Sequence, residues 1–421
     1  MPFIENVFIG WFARIGASFS GMVLGLILFL LGTWLLWWNE GDFVDTANSL
    51  REAQGAAIEL RDIGKLDPSL NGKVVHASGF ADTQDILIDP VFKISTRAIA
   101  LSRNVEFYQW TEQARSETKE KLGGGKETIT TYTYTKRWVS RPVDSSGFKD
   151  ENALSRNAQG VIMPLERFSA KAVNVSFGAY RLPPFFINSI GGSSPLTMEM
   201  PETAKAALNR QIAGVKAMAQ HREATQSSRP LSAEGETLEE YVHQHGNSIY
   251  IGASPAVPQV GDVRVTFKET MPAQISIIAK VNGDTFERFY ASNGKAVSKL
   301  SMGTLSMANM FGSQHSGNSF STWVFRFLGG SLVVMGVGML LAPLAVIASF
   351  IPLLGSIIGA GASVVSFLMG FAWSLFIISI AWLRFRPLTG ATMLFIAGGL
   401  AFYLYRKGRR KKLAAQASSA S

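Results

Sequence analysis

The sequence has no cysteine in 421 residues. That excludes a disulfide framework, thiol catalysis and Cys-ligated metal, and it leaves the redox compartment open. Histidine is scarce, at five. Acid is missing from the last third, because no Asp or Glu follows Glu287. Charge of either sign is missing from the 57 residues 327–383, which also lack His, Asn and Gln. A bilayer core about 30 Å thick takes roughly 20 helical residues per crossing. The run therefore reads as two crossings and a turn. The break falls near Pro352, since Pro interrupts a helix. An integral membrane protein follows.

Two further apolar stretches are present. Residues 15–38 are uncharged and end in Trp34-Leu35-Leu36-Trp37-Trp38, an interfacial aromatic anchor. A cleaved signal peptide competes for this stretch, but its apolar region would be about 7–15 residues and would close on small residues. A retained helix fits better. Residues 388–405 form a last span, followed by Arg406, Lys407, Arg409, Arg410, Lys411 and Lys412. The net charge of +9 comes largely from the membrane part and this tail. It speaks of membrane topology and not of nucleic acid.

The positive-inside bias puts the tail in the cytoplasm. Arg14 before the first span, with Glu40, Asp42 and Asp45 after it, puts the N-terminus there too. The expected order is a cytoplasmic lead 1–14, transmembrane helix 15–38, an exoplasmic α+β domain 39–322, helices 323–350, 353–383 and 388–405, and a basic cytoplasmic tail 406–421. The fold class is an α+β membrane protein with four transmembrane helices and a large β-rich exoplasmic domain. Arg326, Arg384 and Arg386 then fall on the outer side, outvoted by the tail.

Within the middle, helical spacing from Phe43 continues the first helix to about Leu60. Strands are expected at about 73–80, 104–112, 128–139, 262–268 and 274–281, where β-branched and aromatic residues alternate. Gly123-Gly124-Gly125 joins two of them as the mobile tip of a long hairpin. Residues 202–226 read as a helix with Ala206, Leu208, Ile212, Val215 and Met218 as its apolar stripe. Ser301–Ser321 reads as a Gly/Ser-rich lead into the membrane.

The chemistry-bearing candidates are thin. Leu122-Gly123-Gly124-Gly125-Lys126-Glu127 lacks phosphate-loop spacing and precedes a strand. His243-Gln244-His245 has no carboxylate partner at ligand spacing and reads as a solvated loop. Glu106 and Glu112 share a strand face with Tyr108 and Trp110, without a nucleophile, base pair or oxyanion motif. No catalytic, metal or cofactor site is expected. Gly355-Ser356-Ile357-Ile358-Gly359 is a small-residue face that serves packing within the hairpin or oligomerisation equally well. Glu40 lies just past Trp38, where hydration is lost, and is expected to pair with Arg326 or Arg386; the alternative is that each faces water or headgroups alone.

Several motifs are shared with one family. They are Asn39-Glu40-Gly41 with Thr46-Ala47 and Ser49-Leu50, and Arg103 to Glu112 with Tyr108-Gln109-Trp110 at its centre. They continue with Tyr132-Thr133-Tyr134 and Trp138, Gly261-Asp262-Val263-Arg264-Val265-Thr266-Phe267, Thr322-Trp323, and Arg386-Pro387. On these the chain resembles the LUMA (transmembrane protein 43) family nearly end to end. The resemblance implies a membrane organiser, placed in animals in the ER and inner nuclear membrane with lamina-associated partners. The Ala-rich 202–226 insert and the Ala/Ser tail depart from the family and fit a bacterial member, for which an inner-membrane location is expected. The expected function is a non-enzymatic scaffold that binds protein or lipid through its exoplasmic domain and helix bundle. Its partners would be the bilayer and its own copies or other membrane proteins, with no nucleic acid. A channel or transporter, or a membrane-anchored envelope enzyme, is the alternative. Channels and transporters usually keep ionisable or polar groups at membrane depth for the permeant species, and these spans contain none except Ser, Thr and backbone.

Overall fold

The computed structural model describes residues 2–197, 199–227, 240–392 and 395. In chain order its main elements are β1 (Phe3–Ile9), α1 (Trp11–Ala56), β2 (Val74–Thr83), β3 (Ala100–Glu120), β4 (Lys126–Val139), β5 (Val175–Phe177) and β6 (Tyr180–Arg181). After them come α2 (Glu202–Ser227), β7 (Val242–His245), β8 (Ser248–Ile251), β9 (Val263–Thr270), β10 (Ala273–Asn282), β11 (Thr285–Glu287), α3 (Met307–Ala348) and α4 (Pro352–Phe385). The chain is thus α+β, and among the described residues three helices are long and apolar enough to cross a membrane: one at the N-terminal end and two towards the C-terminal end. The expected span 388–405 lies largely outside the described residues.

The break at Pro352 is where composition put it. Ser349 closes α3 and Pro352 opens the first turn of α4, where its missing N–H is harmless. α3 starts earlier than its composition implied. The Ser306 side chain accepts from the Asn309 N–H, a cap that begins the helix inside the Gly/Ser-rich segment.

The three helices form one bundle, with α3 antiparallel to α1 and α4. Glycines set the approach. A Cβ on Gly25 would lie 2.9 Å from the Gly336 carbonyl, and one on Gly32 would lie 2.7 Å from the Gly329 carbonyl. Each helix therefore carries two glycines seven residues apart, and backbone meets backbone at both levels. Gly370 does the same for α4, with its Cβ position 2.7 Å from Val334. Gly355 and Gly359 face Ser349 and Ala345, so that small-residue face packs within the α3–α4 hairpin.

Strands form two main sheets. One has the order β1-β4-β3-β9-β8-β7. Its core holds Val105, Phe107, Ile249, Ile251, Val263, Val265 and Phe267, with Leu208 and Ile212 of α2 laid on it. The working stripe of α2 is Ala204, Leu208 and Ile212; Ala206 and Val215 face outward, because a spacing of four tracks the helix face better than the mixed set expected. In the other sheet β10, β11, β6, β5 and β2 pair round in a ring. Phe177, Tyr180, Phe186 and Phe286 fill it. A third cluster, with Leu50 and Ala53 of α1 and Met310 and Phe311 of α3 against Val74 and Ile278, fixes the helices to this ring.

Turn carboxylates brace the loops. Asp85 accepts from the backbone N–H of Asn174 at 2.8 Å and of Val173 at 2.7 Å, and from the Asn174 amide. These bonds, Asn174's first, hold its carboxyl below the usual value. Asp67 is lowered by the Ser69 hydroxyl and backbone N–H. Carboxyls depressed in the folded state contribute stability above their unfolded pKa, near 4, and lose it as pH falls through the folded values. The melting temperature should therefore hold from pH 7 to about 5 and drop below about 4. A profile that stays flat to pH 2 would contradict these bonds.

The largest departure from expectation joins the N-terminal lead to the tip of the long hairpin. The lead 1–14, expected to be apart from the 39–322 region, contains β1, and β1 pairs with β4 from Phe3↔Tyr132 to Ile9↔Lys126. The hairpin tip does not hang free: half of it is packed. Gly124 and Gly125 are buried, Gly124 against Trp11 and Phe350 and Gly125 against Phe8. Gly124 has φ +76°, a left-handed conformation that glycine adopts without penalty.

Candidate functional site

Two groups of motif residues assemble, at separate places. The first is at the end of the bundle nearest the ring of strands. Asn39, Glu40 and Gly41 are consecutive on α1, so they fan out around the helix and each meets a neighbour. The Asn39 amide donates to the Thr322 carbonyl on α3 at 3.2 Å. Arg326 grips Glu40 with two bonds, Nε to Oε1 at 2.6 Å and Nη2 to Oε2 at 2.8 Å. Trp382 of α4 donates its indole N–H to Oε2 at 2.8 Å. A Cβ on Gly41 would lie 2.9 Å from the Phe385 ring, so any side chain there would have to push that ring aside.

Glu40 is fully buried and the Arg326 side chain is 14% exposed. A carboxylate there is tolerable because both oxygens are hydrogen-bonded. Trp323 and Trp382 stack on the Arg326 guanidinium, at 4.8 and 5.6 Å. Arg386 takes no part in the ion pair. Its guanidinium lies 4.2 Å from the Phe43 ring, and Pro387 follows it on the surface. Of the two partners expected for Glu40, Arg326 is the one found. Trp382 was missed because an indole inside an uncharged run reads as ordinary lipid-facing bulk; its place one helical turn before Arg386 was the signal available.

The second group braces the base of the long hairpin. Gly261, at φ +99°, donates its N–H to the Tyr108 carbonyl, and Tyr108 N–H donates to the Asp262 carbonyl. The Asp262 carboxylate accepts from the Gln259 N–H at 2.7 Å and from the buried Tyr250 hydroxyl. Burial, and then that bond to Asp262, pushes the Tyr250 hydroxyl's pKa up. Gln109 is buried and accepts from the Val143 N–H at 2.6 Å. Glu112 accepts from the Tyr134 hydroxyl and the Lys149 N–H. Tyr108 packs at a tilt on Trp138 at 5.2 Å, Arg264 covers Trp138 at 4.5 Å, and Arg264 binds Glu106 at 2.7 Å. Trp110 lies between Arg156 at 4.4 Å and Lys136 at 5.1 Å.

Chemically, both groups are closed. Glu106 and Glu112 share a face, as their spacing implied, but each is committed to its own partners and they form no acid/base pair. His243 and His245 belong to strand β7 and not to a solvated loop; His243 packs on Tyr250 with its ring nitrogen 3.1 Å from the Gly252 carbonyl. Among the described residues no group of three or more His, Asp or Glu could hold a metal ion. What the second group leaves outward is a half-exposed face of cations on aromatics: Arg156, Lys136, Trp110, Arg264 and Trp138.

The Transmembrane protein 43 family profile matches residues 107–387, from inside the motif strand to the proline after Arg386. Transmembrane protein 43 of Rattus norvegicus is 27% identical over 394 residues, covering 91% of this chain and 89% of that protein. The Homo sapiens protein of that name is 26% identical over 391 residues, covering 90% and 88%. A Transmembrane protein 43 homolog of Drosophila melanogaster is 27% identical over 378 residues, covering 88% and 90%. No solved structure matches the chain. With the motif residues gathered into two bracing groups and the match running over two thirds of its length, the chain belongs to the Transmembrane protein 43 family, a multi-pass integral membrane protein.

Proposed function

We propose that the protein is a non-enzymatic membrane-organising scaffold, whose β-rich region binds protein or lipid and whose helices associate with copies of themselves or other membrane proteins. The observation that carries this reading is the pairing of a closed, rigid junction with an open binding face. Glu40, Arg326 and Trp382 lock α1, α3 and α4 together at the point where they enter the strands. The sheet then presents Arg156, Lys136 and Trp110 outward, groups suited to acidic peptide or phosphate. The orientation we favour places the basic tail in the cytoplasm and most of the β-rich region outside. The membrane is the bacterial inner membrane for a prokaryotic source and the ER or inner nuclear membrane for a eukaryotic one.

A photo-crosslinking residue at Lys136 tests the face. Irradiation of native membranes should give discrete protein or lipid adducts, and Arg156→Glu in the same chain should remove them. No adduct at Lys136, or adducts indifferent to Arg156→Glu, would reject this face as the binding surface.

A further inference from the structure

Where α1 and α3 leave the bundle for the strands, a cavity of about 710 Å³ opens between the two helices and residues 295–299. Two helical stripes build its walls. On α1, Trp34, Trp38, Asp42 and Thr46 recur every four residues, and the last two line the cavity. On α3, Leu328, Phe325, Ser321, Asn318 and Gln314 recur every three or four, and the last four line it. Both stripes turn from apolar to polar at one level, where the Phe325 ring meets Trp38 edge-on at 6.0 Å. On the bundle side of that level Trp34 and Leu328 are exposed. The two helices therefore form one groove, apolar at bundle depth and polar beyond it.

The polar part carries positive charge. Among the described residues the one acid lining it is Asp42, which the Lys295 ammonium binds at 2.6 Å while also donating to the Thr46 hydroxyl at 2.7 Å. Lys299 marks the end away from the bundle: it pairs with Ile278 of β10, which packs with Leu50 and Phe311. Lys299 is exposed and makes no ion pair among the described residues. Past it a second space of about 350 Å³ begins, where Arg288 lies over Phe185 at 5.1 Å and no described acid lines the wall. The Gln314 amide and the Ser321 hydroxyl also have no hydrogen-bond partner among the described residues.

Length selects the occupant. From Phe325 to Phe311 the groove runs about 21 Å at 1.5 Å per residue. The headgroup layer of a bilayer is only about 5–7 Å deep on each side. A simple phospholipid head would fill about the first third and leave Gln314 and Lys299 unreached. A head of several sugars spans the rest. Sugar hydroxyls donate and accept, as the amide and serine groups here do. An acid group on the outermost sugar would meet Lys299. We propose that this groove holds the head of an acidic glycolipid, with its acyl chains along Trp34 and Leu328 and its sugars on Ser321, Asn318 and Gln314. The proposal rests on the lipid-binding reading above but uses a different surface, since Lys136 belongs to the other sheet.

Native mass spectrometry of the full chain in detergent tests it, with sialyl-lactosylceramide, lactosylceramide or phosphatidylglycerol added. Lactosylceramide brings sugar without charge, and phosphatidylglycerol brings charge without sugar. The sialylated lipid should be retained about tenfold more tightly than either, the difference made by a hydrogen bond to a charged group. Lys299→Gln should erase the preference for the acidic over the neutral glycolipid, and Lys299→Arg should keep it. Gln314→Ala combined with Ser321→Ala should weaken both glycolipids about tenfold and leave phosphatidylglycerol unmoved. Free sialyl-lactose should bind at least about a hundredfold more weakly than the lipid, because it lacks the acyl chains. Equal retention of the three lipids, or a glycolipid preference that neither set of variants moves, would overturn the proposal. Free sialyl-lactose bound as tightly as the lipid would overturn it too, as a site for soluble sugar. Any of these failures leaves the Lys136 adduct test standing, because that test reads the other sheet.

Discussion

Glu40→Gln is expected to lower the stability of the helix bundle by about 3–5 kcal/mol, because it strips the counter-charge from a nearly buried guanidinium. Arg326→Gln should cost a similar amount, leaving a fully buried carboxylate with only the Trp382 indole N–H. The double variant should be much less destabilised than the sum of the two, with a coupling of about 2–3 kcal/mol. Trp382→Phe should cost about 1.5–3 kcal/mol, the range for one hydrogen bond to a charged group. Arg386→Gln should couple to Glu40→Gln far more weakly than Arg326→Gln does, because the Arg386 guanidinium rests on Phe43 and makes no bond to that carboxylate. Unfolding in detergent measures all of these. Strict additivity of Glu40→Gln and Arg326→Gln would show that the pair does not form.

The second large effect belongs to Gly336. A Cβ there would lie 2.6 Å from the Gly25 carbonyl and 2.7 Å from the Phe29 N–H. Those atoms are backbone and cannot turn aside, so a side chain must force α1 and α3 apart. Gly336→Leu should cost more than the usual 1–3 kcal/mol of overpacking and should also loosen the Glu40–Arg326 pair two turns or more away. Gly361→Leu is the matched control, with nothing within 4 Å of its Cβ position, and should leave the melting temperature nearly unchanged. Equal shifts for the two variants would mean that α1 and α3 do not pack through these glycines.

Much of this was readable from local pattern. An uncharged run longer than one crossing must fold back, and its one well-placed proline marks where; hence α3 and α4 and the turn at Pro352. Ile129 to Thr135 is β-branched and aromatic throughout, and β4 is there. Glu40 stood out because an acid beside three tryptophans needs a cation, although composition alone left Arg326 and Arg386 level. What failed were pairings made at long range. Phe3–Ile9 is rich in β-branched and aromatic residues, but directly before a membrane helix that composition reads as part of the apolar lead, and its partner is more than a hundred residues on. Gly123 to Gly125 reads as loose punctuation until Trp11 and Phe8 arrive to cover it. Only three-dimensional neighbours distinguish a packed glycine turn from a free one.

The distance in sequence between β1 and β4 also sets a clock. Phe3 is made first, and its partner Tyr132 follows only after well over a hundred more residues. At about 5–20 residues per second, translation leaves β1 without its partner for roughly ten seconds. During that interval Phe3, Ile4, Val7 and Phe8 offer an apolar, unpaired strand edge directly ahead of a helix that is already able to enter a membrane. Biogenesis of this chain therefore has to hold its first ten residues in waiting. An N-terminal fusion that delays or blocks their pairing would act on yield during synthesis, before any finished molecule could be weakened.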